Sequence, residues 1–211
     1  MKKPSPKQLL LIALTIVALV AAGLGLHQWQ LRQRALETLP INTKMGGDFL
    51  LPSTLSSTGD KLDTKTLRGK VVLLNFGFTS CPDVCPLVLA RLRQVLRELD
   101  TDASGLQVVF VSFDPARDTL PNLAAYVQHF DPRIIGATGS DAEIAAVAAQ
   151  YGVVYLKEDI GSAGGYGFAH SDYIYLLDQE GHIRKLYAND APVKEMVEDV
   201  RLLQKVMKTR Y

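Results

Sequence analysis

The chain has 211 residues, with 23 Lys plus Arg against 22 Asp plus Glu, four His and two Cys. That length admits one domain and an appendage, and an apolar share of 47% excludes a disordered chain. The near-neutral balance excludes a polybasic nucleic-acid binder, because phosphate recognition relies on clustered positive charge, and two cysteines are too few to staple a scaffold.

Charge is unevenly distributed along the chain. Lys2, Lys3 and Lys7 precede the first acidic residue, Glu37, and removing those three from the 23 bases leaves 20 against 22 acids. Residues 9–26, LLLIALTIVALVAAGLGL, follow without a charge. A core helix of a soluble domain would carry a polar face, so this run reads as a membrane segment or a signal peptide. Its length favours an uncleaved anchor, since about 18–20 helical residues cross most of a ~30 Å hydrocarbon layer and a signal h-region has about 7–15. The small residues Ala21, Ala22 and Gly23 keep cleavage as the alternative. By the positive-inside rule residues 1–8 form a cytoplasmic tip, residues 9–26 a single-pass anchor, and Trp29 an interfacial aromatic. The body is then exported, which in a bacterium places it on the periplasmic side of the inner membrane.

Residues 27–45 show neither strong apolar periodicity nor a strand run and read as a juxtamembrane linker, with the folded domain over residues 46–211. Segments 49–51 and 60–62 flank a turn at Ser56-Ser57-Thr58-Gly59 and predict a small hairpin. VVLLNFGF (71–78) is a continuous apolar run, as expected for a strand covered on both faces. Residues 84–100 repeat apolar positions at helical spacing, with Arg91, Arg93 and Arg97 on a solvated face. LQVVFVS (106–112) is a second buried strand, followed by a helix from Leu120 to Phe130 that Asp118 and Thr119 are placed to cap. A strand at 134–138 leads to a helix over 140–152, capped by Ser140 or Asp141 and closed by Gly152. VVYL, YIYLLD and IRKLY are strands, the last two joined as a hairpin, and a final helix covers 192–207. This order predicts an α/β, three-layer domain resembling the thioredoxin fold, with an N-terminal hairpin and a single transmembrane helix before it.

Cys81 and Cys85 lie in FTSCPDVCPLV, between a buried strand and a long helix. Four-residue spacing at a helix start puts both side chains on one face, about 5–6 Å apart. The helix N-terminus favours the thiolate, which is both nucleophile and metal ligand. Three readings follow: a structural disulfide, a redox dithiol, or a soft-metal site that needs another ligand. Of the four histidines, His27 sits at the membrane boundary, and His129 and His182 are expected at the surface. His170 follows the glycine-rich GSAGGYGFAH (161–170) and precedes the strand YIYLLD, so it reads as an imidazole fixed on the sheet at the end of a mobile loop. It is the leading third ligand.

SCPDVCP, FVSFDPARDT (110–119), HFDPRIIGATGS (129–140) and HSDYIYLLD (170–178) resemble, in order, the signature segments of the SCO/SenC family. The resemblance spans residues 46–208. It implies a membrane-anchored, thioredoxin-fold, copper-binding factor for assembly of the copper centre of cytochrome c oxidase, with copper ligands at Cys81, Cys85 and His170. Asp114 matches an acidic position implicated in the family's chemistry or partner contact. Here Phe168 and Ala169 precede the histidine where many members carry an Asp. Two thiolates and an imidazole suit Cu(I), and hold Cu(II) less comfortably. The implied function is a copper metallochaperone delivering to an oxidase subunit, with a periplasmic copper donor or thiol reductant as further partner. The same cysteines can instead act catalytically as a thiol-disulfide oxidoreductase, ending as a Cys81–Cys85 disulfide. A thiol peroxidase is the third option.

Overall fold

The computed structural model describes residues 5–55, 60–159 and 165–207. The proposed turn at Ser56–Gly59 and most of the glycine-rich run before Tyr166 lie outside them. After helix α1 (Pro6–Thr38) come the paired strands β1 (Leu50–Pro52) and β2 (Lys61–Asp63), then β3 (Val71–Gly77), α2 (Val84–Leu99), β4 (Leu106–Ser112), α3 (Leu120–Phe130), β5 (Ile134–Ala137) and α4 (Asp141–Tyr151). A second hairpin, β6 (Tyr155–Asp159) and β7 (Tyr166–His170), precedes β8 (Tyr173–Leu177), β9 (Ile183–Ala188) and α5 (Val193–Met207).

The central sheet has the order β5-β4-β3-β8-β9. β3, β4 and β5 are parallel and need the crossovers α2 and α3, while β8 and β9 run antiparallel to their neighbours. Every residue of β3 is buried, including the polar Asn75, whose Nδ2 donates to the Tyr173 carbonyl at 3.1 Å. Its side chains alternate: Val71 and Leu73 pack with Leu92, Val95 and Leu96 of α2 and with Val200 of α5. Val72, Leu74 and Phe76 pack on the other face with Ile144, Val147 and Tyr151 of α4 and with Leu51 and Leu62 of the first hairpin. Helices on both faces of a mixed sheet give the three layers expected, and the thioredoxin-like reading stands.

Local chemistry sets the ends of α4. Ser140 and Glu143 form a reciprocal capping box, and Gly152 takes the left-handed conformation at φ 67° that closes the helix. The expected cap of α3 is not there. Thr119 makes no side-chain capping bond, and Asp118 turns inward to bind two loops instead.

Two further differences from the sequence reading concern the N-terminal region and the histidine segment. α1 continues to Thr38 through most of the expected linker, and Leu39 is fully buried against the α5 side of the core. Arg184 Nε donates to the Leu39 carbonyl at 2.6 Å, and Asn42 N donates to Ile183 O at 2.7 Å. Packed structure therefore begins at Leu39, ahead of Gly46, and Met45 packs against the other core cluster while Gly46 N donates to Gln150 O at 2.8 Å. His170 ends β7, which among the described residues pairs only with β6, so the imidazole rides on a hairpin outside the central sheet.

Within α1, Pro6–Leu31 is long and apolar enough to cross a membrane. Its exit into Leu39 is testable. Leu39→Ala should lower the unfolding free energy in urea by about 2–5 kcal/mol, the range for an emptied core site. A change within about 0.5 kcal/mol, as for a surface position, would mean that the segment is an undocked linker.

Candidate metal centre

Topology brings three chain segments to one edge. β3 and β4 are parallel, so the loops after Gly77 and Ser112 leave the sheet side by side. β8 runs antiparallel to β3, with Asn75 opposite Ile174, so the residues just before β8 arrive at that same edge. Ligand sites of open α/β sheets form outside the carboxyl ends of parallel strands. Cys81, the 113–119 loop and His170 all converge there.

The cysteine segment is a loop pinned between a strand and a helix. At the start of α2, Asp83 makes no side-chain capping bond, and Cys85 N donates to Cys81 Sγ at 3.5 Å. The sulfur thus takes the place of a capping oxygen. Cys85 is buried beneath it, against the end of β3. Gly77 makes room for that thiol, because a Cβ there would stand 2.7 Å from Cys85 Sγ and 2.9 Å from Phe110. Two residues before Cys81, Thr79 donates to Asp118 from its backbone N at 2.8 Å and its hydroxyl at 2.5 Å. Ser112 Oγ adds a third bond to the same carboxylate at 2.5 Å. Asp118 is wholly buried and its charge is met by these three donors.

His170 approaches from the β6–β7 hairpin, with Nε2 4.0 Å from Cys85 Sγ. Its Nδ1 lies 3.0 Å from the Ser171 carbonyl. Donation of Nδ1–H to that carbonyl leaves Nε2 directed at the thiols, where it donates to the Cys81 thiolate when the ring is protonated and offers a lone pair when it is neutral. This backbone oxygen supplies the orienting partner that Phe168 and Ala169 cannot. The imidazole stands edge-on to Phe113 at 5.0 Å and Phe78 at 6.1 Å between ring centroids. Phe168 packs on both, and Tyr155 stacks on Phe113 at 4.9 Å, so an aromatic wall backs the site.

The thiols are electrostatically unequal. Cys81 is lowered to about 3, chiefly by the hydrogen bond from Cys85 and then by His170 and the backbone donors of Cys85 and Asp83, against an opposing effect of burial. Cys85 moves upward because its proton is shared with Cys81 and because it is buried. At His170, burial is the largest influence and lowers the pKa, but bonds to Cys81 and Ser171 and the charge of Asp172 leave it raised overall. The site is therefore a Cys81 thiolate held by a Cys85 thiol and a nearby imidazole.

The three donor atoms lie within 4.8 Å of one another, the one such cluster of His, Cys, Asp or Glu ligands among the described residues. Donors bound at about 2.0–2.3 Å to a common ion stand roughly 3.5–4 Å apart, so a modest contraction closes the set on one ion. Thiolate and imidazole donors fit a soft or borderline metal. His27, His129 and His182 are exposed and stand outside the group, as expected.

Asp114 lies near the site and is buried. It is 2% exposed, and its carboxylate accepts bonds from Arg117 Nε and, at 2.7 Å, from the Tyr166 hydroxyl. Arg117, Tyr166 and the aromatic wall were not singled out from sequence. The spacing of Asp114 and Arg117 in one turn was visible, but nothing local ties them to Tyr166, which lies 52 residues from Asp114.

The SCO1/SenC family model matches residues 38–205. The chain belongs to that family. The matched range begins beside Leu39, where the packed body of this SCO1/SenC protein also begins. Mouse "Protein SCO2 homolog, mitochondrial" is 37% identical over 199 residues, covering 89% of this chain and 76% of that protein. Among solved structures, Bradyrhizobium japonicum ScoI with copper bound is 35% identical with a TM-score of 0.69, covering 75% of this chain and 99% of that one. Arabidopsis thaliana ScoI with copper bound is 34% identical with a TM-score of 0.69, covering 76% and 99%.

The unequal thiols predict a pH signature. A folded pKa below the unfolded 9.0 means that the Cys81 thiolate stabilises the fold fully above that value, and the contribution is lost as pH falls toward about 3. Iodoacetamide should accordingly label Cys81 at a rate nearly constant from pH 8 to pH 5, with Cys85 unlabelled. An ordinary thiol would slow about tenfold per pH unit over that range. Mass spectrometry of the labelled peptides reads the outcome, and a tenfold fall per unit at Cys81 would refute the assignment.

Proposed function

We propose that this protein is a membrane-anchored copper metallochaperone in which Cys81, Cys85 and His170 hold one copper ion as cargo for the copper site of cytochrome c oxidase. The observation that carries the reading is the convergence of those three donors at the carboxyl edge of β3. Copper-bound relatives with the same fold support copper over the other soft or borderline metals. Two sulfurs and one nitrogen form a low-coordinate set suited to Cu(I).

Delivery then proceeds by ligand exchange. Cys81 is the more accessible sulfur and Cys85 lies beneath it, so an incoming acceptor thiolate replaces Cys81 or His170 before it reaches Cys85. No electron moves in this exchange, and the copper keeps its oxidation state. The acceptor is an oxidase subunit whose copper-binding thiols must be reduced, in a compartment that oxidises exposed dithiols.

The depressed Cys81 pKa favours a second, compatible reading. Its thiolate attacks an acceptor disulfide to form a mixed disulfide. Cys85 then resolves this, giving a Cys81–Cys85 disulfide and two reduced acceptor thiols, so two electrons pass from the dithiol to the acceptor. A periplasmic thiol reductant would reset the pair.

Anchoring is supported by Pro6–Leu31, whose apolar stretch is not buried by the body of the protein. In the proposed orientation the N-terminal lysines stay in the cytoplasm and the copper domain faces the periplasm of a bacterial inner membrane. The protein should remain in the membrane pellet after alkaline carbonate washing, and protease added to spheroplasts should digest the domain. Release by carbonate would exclude the anchor, and protection from protease would exclude the orientation.

For the site, reduced protein should bind one copper per chain. His170→Ala should weaken Cu(I) binding by more than about 100-fold, beyond what loss of an outer-shell partner produces, yet keep dithiol exchange with a small disulfide. Undiminished copper affinity in that variant would overturn the three-donor site. Loss of both properties would mean that the histidine is needed for folding.

A further inference from the structure

The 112–119 loop touches both carriers of the proposed copper donors. On one side Asp118 grips Thr79, two residues before Cys81. On the other side Asp114 and Arg117 grip Tyr166, the first residue of the strand that ends in His170. Asp114 N bonds Ser112 Oγ and Asp118 N bonds Asp114 O, so the two grips belong to one braced turn.

The contact with Tyr166 is unusually complete. Its hydroxyl donates to Asp114 Oδ1 at 2.7 Å, and its carbonyl accepts from Arg117 Nη1 at 2.9 Å. Its ring has the Arg117 guanidinium 3.8 Å and the Lys157 ammonium 3.5 Å from the centroid. Arg117 also bonds Asp114 through Nε and lies 5.8 Å from the Phe78 ring, a neighbour of the imidazole. Cations over aromatic rings and charge-assisted bonds are stronger where water is partly excluded, as around the buried Asp114.

An isolated two-stranded hairpin is marginally stable in water. β6 and β7 form such a pair, with no strand of the central sheet beside them and with Val154 and Leu156 exposed on the outside. The aromatic wall holds the His170 end. The Asp114–Arg117 pair holds the other end.

We propose that Asp114, Arg117 and Tyr166 form a latch that positions His170, so that closing it presents the imidazole to Cys81 and Cys85 and opening it leaves a two-sulfur site. Asp114 is thereby a positioning residue that acts through the hairpin and not a surface for a partner. The proposal rests on the three-donor reading, and its test separates the two. Tyr166→Phe removes the hydroxyl bond and keeps the ring, so the fold is little disturbed. Cu(I) affinity is measured by competition with a chromophoric chelator for the wild type, Tyr166→Phe, His170→Ala and the double variant. The single Tyr166→Phe change should weaken binding about tenfold, in the range known for outer-shell partners, and should have no further effect once His170 is Ala.

Equal weakening in both backgrounds would overturn the latch, as would no weakening of the wild type. No effect of His170→Ala alone would overturn the three-donor reading and the latch with it. In the metal-free protein, amides of Tyr166–His170 should exchange hydrogen faster in Tyr166→Phe, with β3 and β4 unchanged. Unchanged exchange in β7 would overturn the latch independently of copper.

Discussion

A buried carboxylate, Asp118, with no salt-bridge partner among the described residues, ties together the parts on which the centre depends. Burying an ion costs several kcal/mol unless donors replace its water, and here Thr79 and Ser112 supply three bonds. Thr79 belongs to the cysteine loop after β3, and Ser112 ends β4. The bonds therefore hold the loops of adjacent parallel strands in one relative position. From that join the chain leads directly to Cys81 in one direction and to Asp114 and Arg117 in the other. Any shift of the carboxylate would strand three donors, so the cost of loosening the cysteine loop is high, although the loop itself is short and partly exposed.

Within that frame the thiols are polarised by their positions. Cys81 stands at the open end of α2, where the backbone N of Cys85 and the helix field favour negative charge. Cys85 lies one turn in, against Gly77 and the sheet, and keeps its proton. A centre with one exposed thiolate and one buried thiol is open to a metal or an electrophile from one side only. The imidazole closes that side from a different structural unit, the β6–β7 hairpin.

The membrane-proximal region is similarly continuous. α1 runs to Thr38, and Leu39 enters the core beside α5, with its carbonyl held by Arg184. Seven residues, 32–38, separate the apolar span from Leu39, the first residue of the packed body.

Much of the fold was legible because its signals are local. The uninterrupted β3 and β4 runs, the helical spacing of α2, the Ser140–Glu143 capping box and the glycine after α4 each act within a few residues. The CxxxC spacing at a strand-to-helix junction likewise showed the thiol pair and its activation, and four segments in family order pointed to His170. Other features were hidden for physical reasons. Asp118 has the composition of a cap, and only the approach of Thr79 from another strand turns it inward. The segment 27–38 lacks an apolar face, so its helix is set by continuation from the span and by docking of Leu39. The sequence by itself determined the residue chemistry of the centre, since thiolate and imidazole donors and the field at a helix start are properties of residue type and spacing. Tertiary structure decided that His170 meets Cys85 across 85 positions, that it does so from a hairpin, and that Asp114 is buried beneath Tyr166. Those outcomes depend on strand order and on contacts between distant segments, which no local pattern encodes.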